Sequence, residues 1–149
     1  MRQLSLFHTD ALDAQAASLA SVMRLVRSAM KRVADEQAGG VSREHLADSV
    51  SRLAEAAGVS LTQRKTKRVS KDVLDKWLNP SAVDHAPSLE AVVAYCLTTG
   101  DPAPFLPILQ AMGCEIMTAH QRDKCQFAEA VIEEKRLKRL KQNLEAKLL

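Results

Sequence analysis

Positive charge is concentrated in one short stretch of the sequence. Residues 61–71 carry five basic side chains and no acidic one, namely Arg64, Lys65, Lys67, Arg68 and Lys71. Guanidinium and ammonium groups at this spacing neutralise successive phosphates and release condensed counterions. Such contacts give affinity for a nucleic-acid backbone without reading its sequence. The cluster therefore predicts contact with nucleic acid, whereas each residue taken singly is better explained as a solvated surface charge.

Further polar side chains next to this cluster have the chemistry to read bases. Lys71 and Lys76 can reach phosphates or guanine edges. Asp72 or Asp75 can either accept a hydrogen bond from cytosine or hold a neighbouring basic group. Ser70 precedes the helix that carries them, and Arg43 begins an earlier helix from which it can contact the backbone. The predicted DNA-contacting residues are Arg43, Arg64, Lys65, Lys67, Arg68, Ser70, Lys71, Asp75 and Lys76.

Two amphipathic helices must position these residues. Apolar side chains recur every three to four residues over 44–57 and again over 71–78, and a serine stands before each segment as a potential N-cap. Two such helices with a basic approach to the second are typical of a helix-turn-helix. The connection Gly58–Arg68 is longer than the standard turn of about three or four residues. It is either a basic arm that contacts phosphate or, in part, an extension of the first helix past Ala57.

Helical periodicity continues through the rest of the chain, and alternating strand patterns are nearly absent. The sequence predicts helices from Asp10, as N-cap, to about Gln37, after Ser88 to Gly100, over 105–112, and over about 119–148 as one helix or two. In the first helix the predicted core stripe leaves the basic residues Arg24, Arg27, Lys31 and Arg32 mostly off it and consists of Leu12, Leu19, Val22, Met23, Val26, Met30 and Val33. In the helix after Ser88 we expect Leu89, Val92, Val93, Cys96 and Leu97 to point inward. The predicted fold is an all-α bundle, with a tail over 1–9, a helical DNA-binding domain over 10–117 and an appended C-terminal helix over 118–149. That last helix either pairs with a copy of itself or folds back on its own domain.

Several short motifs resemble the phage CII-type regulators, which are small helix-turn-helix transcription factors with a lambda-repressor-like fold. The motifs are Leu74–Pro80, Ala91–Leu97, Thr99–Asp101 and Ala111–Cys114. Ser42-Arg43, Leu46-Ala47 and Val69–Lys71 also fit a related group of prophage regulators. The resemblance implies a homo-oligomer that binds a repeated operator in double-stranded DNA, with the second helix of the motif in the major groove.

The first residues suggest an alternative function. Gln3-Leu4-Ser5-Leu6-Phe7 resembles the pentapeptide with which many bacterial proteins bind the replicative sliding clamp. In that resemblance Gln3 contacts the rim of the pocket, while Leu4, Leu6 and Phe7 supply the apolar part of the motif. The alternative is a non-enzymatic adaptor or replication accessory protein, and the structural explanation is an apolar segment that packs on the first helix.

Enzymatic and metal-binding functions find no support in the sequence. The four histidines are scattered, and phosphate-binding glycine loops and nucleophile motifs are absent. Cys114, His120 and Cys125 lack a fourth ligand and the spacing of a standard zinc site, so buried thiols explain the cysteines better. We expect no cofactor and no metal. The odd cysteine count and the lack of a signal peptide or a membrane-length apolar run predict a reduced cytoplasmic protein with no membrane association. The predicted DNA binding implies association with the bacterial nucleoid.

Overall fold

The described part of the chain is built from helices. The computed structural model describes residues 3–37, 39–62, 68–82 and 84–149, with side chains from residue 10 onward. The α-helices are α1 (Gln3–Gln37), α2 (Arg43–Ala57), α3 (Lys71–Leu78), α4 (Leu89–Thr99), α5 (Leu106–Ala111) and α6 (Ala119–Leu148), and a 3-10 turn at Ala103–Phe105 precedes α5. Since no strand occurs among the described residues, the predicted all-α class is confirmed.

The chain divides into two compact units, Met1–Glu115 and Ile116–Leu149. The core of the first unit is formed by α1 to α4, and its largest fully buried side chains include Met30, Leu74 and Tyr95. Trp77 is also buried, with 2% of its surface exposed. The core is otherwise almost entirely aliphatic, as the low aromatic content of the sequence requires.

Local sequence signals set most of the helix ends. Ser42, Ser70, Ser88 and Thr118 are N-caps whose hydroxyls each accept a hydrogen bond from the backbone N–H three residues later. α2 ends at Gly58, whose φ of 68° lies in the left-handed region that favours glycine. α2 therefore does not extend past Ala57, and that explanation of the long connection is wrong.

The long first helix differs from the predicted one at its start and in its buried stripe. α1 begins at Gln3, so Asp10 lies inside the helix and is not its N-cap. Leu12 and Leu19, predicted to lie on the core stripe, are exposed, whereas Val26, Met30 and Val33 are buried. The reason is that the described elements of the first unit cover only the second half of α1.

The buried face of α4 also differs from the prediction. Leu89 and Leu97 are 60% and 68% exposed, Val93 is exposed too, and Ala91, Val92, Ala94 and Tyr95 are buried. Because α4 is apolar on nearly all sides, periodicity alone cannot select the inner face. Small alanines allow close packing, and the Tyr95 hydroxyl donates a hydrogen bond to the carbonyl of Met30 at 2.7 Å. These contacts turn Tyr95 inward and the leucines outward.

Candidate nucleic-acid interface

α3 presents its polar face to solvent. Leu74, Trp77 and Leu78 are buried, whereas Lys71, Asp72 and Lys76 are exposed. This division follows from the sequence, because apolar residues at three- and four-residue spacing lie on one side of a helix. The exposed side chains therefore lie on a helix whose orientation is fixed by its packing.

A buried hydroxyl fixes the start of α3 to α2. Ser51 is 3% exposed, and its hydroxyl accepts a hydrogen bond from the backbone N–H of Val69 at 2.8 Å. The same hydroxyl donates to the carbonyl of Ala47 at 2.8 Å. Val69 directly precedes Ser70, whose hydroxyl accepts from the N–H of Val73 at 3.3 Å to cap α3. The first turn of α3 is thus held against the middle of α2.

A buried arginine holds the chain just after the end of α3. Arg27 on α1 is 2% exposed, and its guanidinium donates hydrogen bonds to the carbonyls of Asn79 at 3.2 Å and of Ala82. Burial lowers the pKa of Arg27 from its ordinary value. The sequence prediction left this residue off the buried stripe of α1, which is wrong for Arg27. Ser51 before α3 and Arg27 after it together restrain both ends of the helix.

Ion pairs connect the start of α2 to the polar face of α3. The guanidinium of Arg43 lies 2.7 Å from a carboxylate oxygen of Asp75 and 3.3 Å from one of Asp35. The hydrogen bond to Asp75, followed by the attraction of both carboxylates, raises the pKa of Arg43 despite some burial. The Lys71 ammonium lies 3.7 Å from a carboxylate oxygen of Glu44.

These pairs affect the DNA contacts predicted for Arg43 and Asp75. The two side chains neutralise each other and are both about 40% exposed or less, so the pair braces α2 against α3. Lys71 is half exposed, and its pair with Glu44 is long. Exposed ion pairs of this kind contribute at most about 1 kcal/mol. Lys71 is therefore able to exchange Glu44 for a phosphate at small cost.

The basic connection is bounded by anchored residues. Leu61 and Val69 are both buried in the core. Arg68, exposed at the end of this segment, pairs with Glu55 at 3.0 Å. The positions of Arg64, Lys65 and Lys67 lie outside the described residues, and their DNA contacts stay predictions. Lys76 has no carboxylate within 4.0 Å among the residues that the structure describes, which leaves its full charge available for an anion.

The sequence prediction did not include Ser51 and Arg27, although each lies on or beside a buried stripe of its helix. Ser51 lies four residues after Ala47 and three before Ala54, in a line of small side chains on the inner face of α2. Arg27 is adjacent to Val26 and three residues before Met30, at the edge of the buried stripe of α1. Their hydrogen-bond partners are distant in sequence, so the pattern alone does not reveal their roles.

The clamp-like motif lies at the start of α1. The backbone of Gln3–Phe7 is helical. The side chains of Gln3, Leu4, Leu6 and Phe7 lie outside the part of the chain that the structure describes. Clamp binding therefore stays a prediction.

The cysteines do not behave as the expected set of buried thiols. Cys114 and Cys125 are exposed, and Cys96 is half-buried. Burial raises the pKa of the Cys96 thiol. Within the described residues, no group of three or more histidine, cysteine or acidic side chains is arranged to hold a metal ion. None of the described helices combines the length and apolar character needed to cross a bilayer.

Comparison of the chain with protein-family models, curated proteins and solved structures found no match. The resemblance to CII-type regulators and the lambda-repressor-like fold therefore stay predictions. The assignment of a function rests on the geometry and the charge around α3.

Proposed function

We propose that this protein is a sequence-specific DNA-binding transcriptional regulator of phage or prophage origin. It reads operator DNA with α3, the second helix of a lambda-repressor-like helix-turn-helix formed by α2 and α3. The observation that carries this proposal is that α3 is restrained at both ends, by Ser51 and Arg27, while its polar face is open to solvent. A reading helix needs this combination, because a base contact is specific only when the side chain starts from a fixed position.

The basic residues divide into two roles. Residues 64–68 supply phosphate contacts, which give affinity without discrimination. Lys71 and Lys76 project from α3 and contact base edges or the phosphates beside them. The Arg43–Asp75 pair sets the orientation of α3 on α2 and contributes little charge to DNA. Such a regulator acts on the nucleoid in the cytoplasm of its bacterial host, as a homo-oligomer that binds paired half-sites.

A selection from random duplex DNA tests this function. The wild-type protein is used to enrich duplexes over several rounds, and its affinity is then titrated on the enriched duplex and on a scrambled one. We expect Lys76→Ala to lose about 1–3 kcal/mol of discrimination between the two duplexes, the usual worth of a good base contact. Loss of affinity on both duplexes equally would instead place Lys76 on a phosphate.

A matched control separates the role of Lys76 from its charge. Lys135→Ala removes the same charge from an exposed lysine of the other unit, in α6. We expect it to leave discrimination unchanged. If no sequence is enriched, or if wild-type protein binds the enriched and the scrambled duplex with equal affinity, the chain is not a sequence-specific regulator. The adaptor alternative makes that prediction.

A further inference from the structure

α6 carries large apolar side chains on a helix that buries none of its residues. Phe127, Leu137, Leu144 and Leu148 are each more than half exposed. α6 contains 30 residues, which is about 45 Å of helix. Helices are stabilised chiefly by packing of an apolar face. We therefore expect the apolar face of α6 to pack against another helix.

Five apolar residues follow one stripe that two charged residues interrupt, whereas Ile132 and Leu140 lie off it. Positions 127, 131, 134, 137, 141, 144 and 148 recur at intervals of three or four, as on one side of a helix. Five of them are Phe, Val or Leu, and the other two are Glu134 and Lys141. Opposite charges placed within an apolar stripe specify the partner helix and the register in which the two helices pair.

The charge of α6 is also divided along its length. Residues 119–134 carry four acidic and two basic side chains, and residues 135–149 carry one acidic and six basic. A parallel pair of α6 helices would bring the basic halves together and would place Glu134 beside Glu134 and Lys141 beside Lys141. An antiparallel pair brings the acidic half of one helix to the basic half of the other.

We propose that α6 pairs with α6 of a second copy of this chain in an antiparallel arrangement, with the two-fold axis between Leu137 and Lys138. This register places Phe127 opposite Leu148, Val131 opposite Leu144, and Glu134 opposite Lys141 of the second copy. Phe127, Val131, Leu144 and Leu148 then each meet an apolar position, Leu137 lies beside Leu137 of the second copy across the axis, and both interrupting charges are paired. The overlap from 127 to 148 is about 33 Å long. The proposal specifies the homo-oligomer of the proposed function, but its test needs no DNA.

Charge exchange at the two interrupting positions tests the register. In the full-length chain, Glu134→Lys and Lys141→Glu each create two like-charge contacts per antiparallel dimer. We expect each to weaken self-association by roughly tenfold or more. The double variant, and an equimolar mixture of the two single variants, restore the pairing of opposite charges. Sedimentation equilibrium measures all four samples, and far-UV circular dichroism verifies that each one is folded.

Matched controls lie on the other faces of the same helix. Glu129→Lys and Lys135→Glu make the same charge changes away from the stripe, and we expect wild-type association. Ile132 is as exposed as the stripe residues but lies on the opposite face. Ile132→Asn should therefore leave association unchanged, whereas Leu137→Asn, next to the two-fold axis, should weaken it.

Three results would overturn the proposal. If the wild-type chain sediments as a monomer at tens of micromolar, α6 does not pair with a second copy. Single variants that associate like wild type would indicate a parallel pair, in which like charges face each other before and after exchange. If the double variant self-associates as weakly as the single variants, the register that pairs Glu134 with Lys141 is excluded. DNA selection is measured separately, so loss of the proposed function and loss of this pairing are distinguishable.

Discussion

The hydrogen bond from Val69 to Ser51 offers the sharpest test of how α3 is positioned. Ser51→Ala removes the acceptor of the Val69 N–H and leaves the rest of the buried site with almost the same volume. Ser51 and Val69 are each about 3% exposed, so bulk solvent does not reach the Val69 N–H in place of the hydroxyl. The variant therefore leaves one buried backbone donor without its partner.

The size of the effect follows from that unpaired donor. A buried group that loses its hydrogen-bond partner costs about 1–3 kcal/mol. The higher helix propensity of alanine offsets a few tenths of a kcal/mol of this loss in unfolding free energy at position 51. We expect a net loss of about 1–2.5 kcal/mol in the free energy of unfolding. Because the junction before α3 is loosened, discrimination between operator and scrambled DNA should fall as well.

Ser49→Ala is the control for this prediction. Ser49 lies on the same helix, and its hydroxyl donates to the carbonyl of His45 at 2.9 Å, just as Ser51 donates to Ala47. Only Ser51 connects to the segment before α3. Urea unfolding followed by the fluorescence of Trp77 should show Ser49→Ala within about 0.5 kcal/mol of wild type. Equal stability of the two variants would refute the role of Ser51.

Three further predictions concern the core and the charge. Trp77→Ala should cost about 3–5 kcal/mol of unfolding free energy, measured by circular dichroism, since the ring is buried; a loss below 1 kcal/mol would contradict that packing. Burial raises the pKa of Tyr95, so the folded state keeps the phenol proton that the unfolded state releases near pH 10. Stability should therefore fall as pH rises above about 10, and in Tyr95→Phe this fall should be smaller; identical pH profiles would contradict it. Replacing the four basic residues of 64–68 by glutamine should lower the slope of log affinity against log salt by up to about 3.6, at 0.9 per phosphate, on operator and scrambled DNA alike; an unchanged slope would mean that these charges do not contact DNA.

The sequence predicts those features of the fold that depend on neighbouring residues. α2 and α3 match the predicted ranges within one residue, because serine caps and three- to four-residue periodicity are local signals. The start of α1 was missed, since Asp10 is a suitable cap but the residues before it are also able to form a helix. The start of α6 at Ala119 agrees with the prediction, and Thr118 and Gln121 form a capping box there. The imperfect periodicity of 119–148 fits one helix or two, and the structure shows one.

Features set by distant partners could not be read from the sequence. The inner face of α4 depends on the hydrogen bond of Tyr95 to Met30, which is 65 residues away. Arg27 looks like a surface arginine until the carbonyls after α3 are placed around its guanidinium. The candidate site shows the same limit. The sequence allows Asp75 to hold a neighbouring basic group, but the choice of Arg43 as that group depends on the packing of α2 on α3.

Hydroxyl-radical footprinting on a duplex enriched from random DNA tests the central claim most directly. The account predicts two protected patches on one face of the duplex, with centres about one helical turn or a multiple of it apart, because two copies of α3 occupy successive major grooves. Lys76→Ala should weaken both patches, and Lys135→Ala neither. Protection that is uniform along the duplex, or the same on a scrambled sequence, would contradict the assignment of α3 as a reading helix.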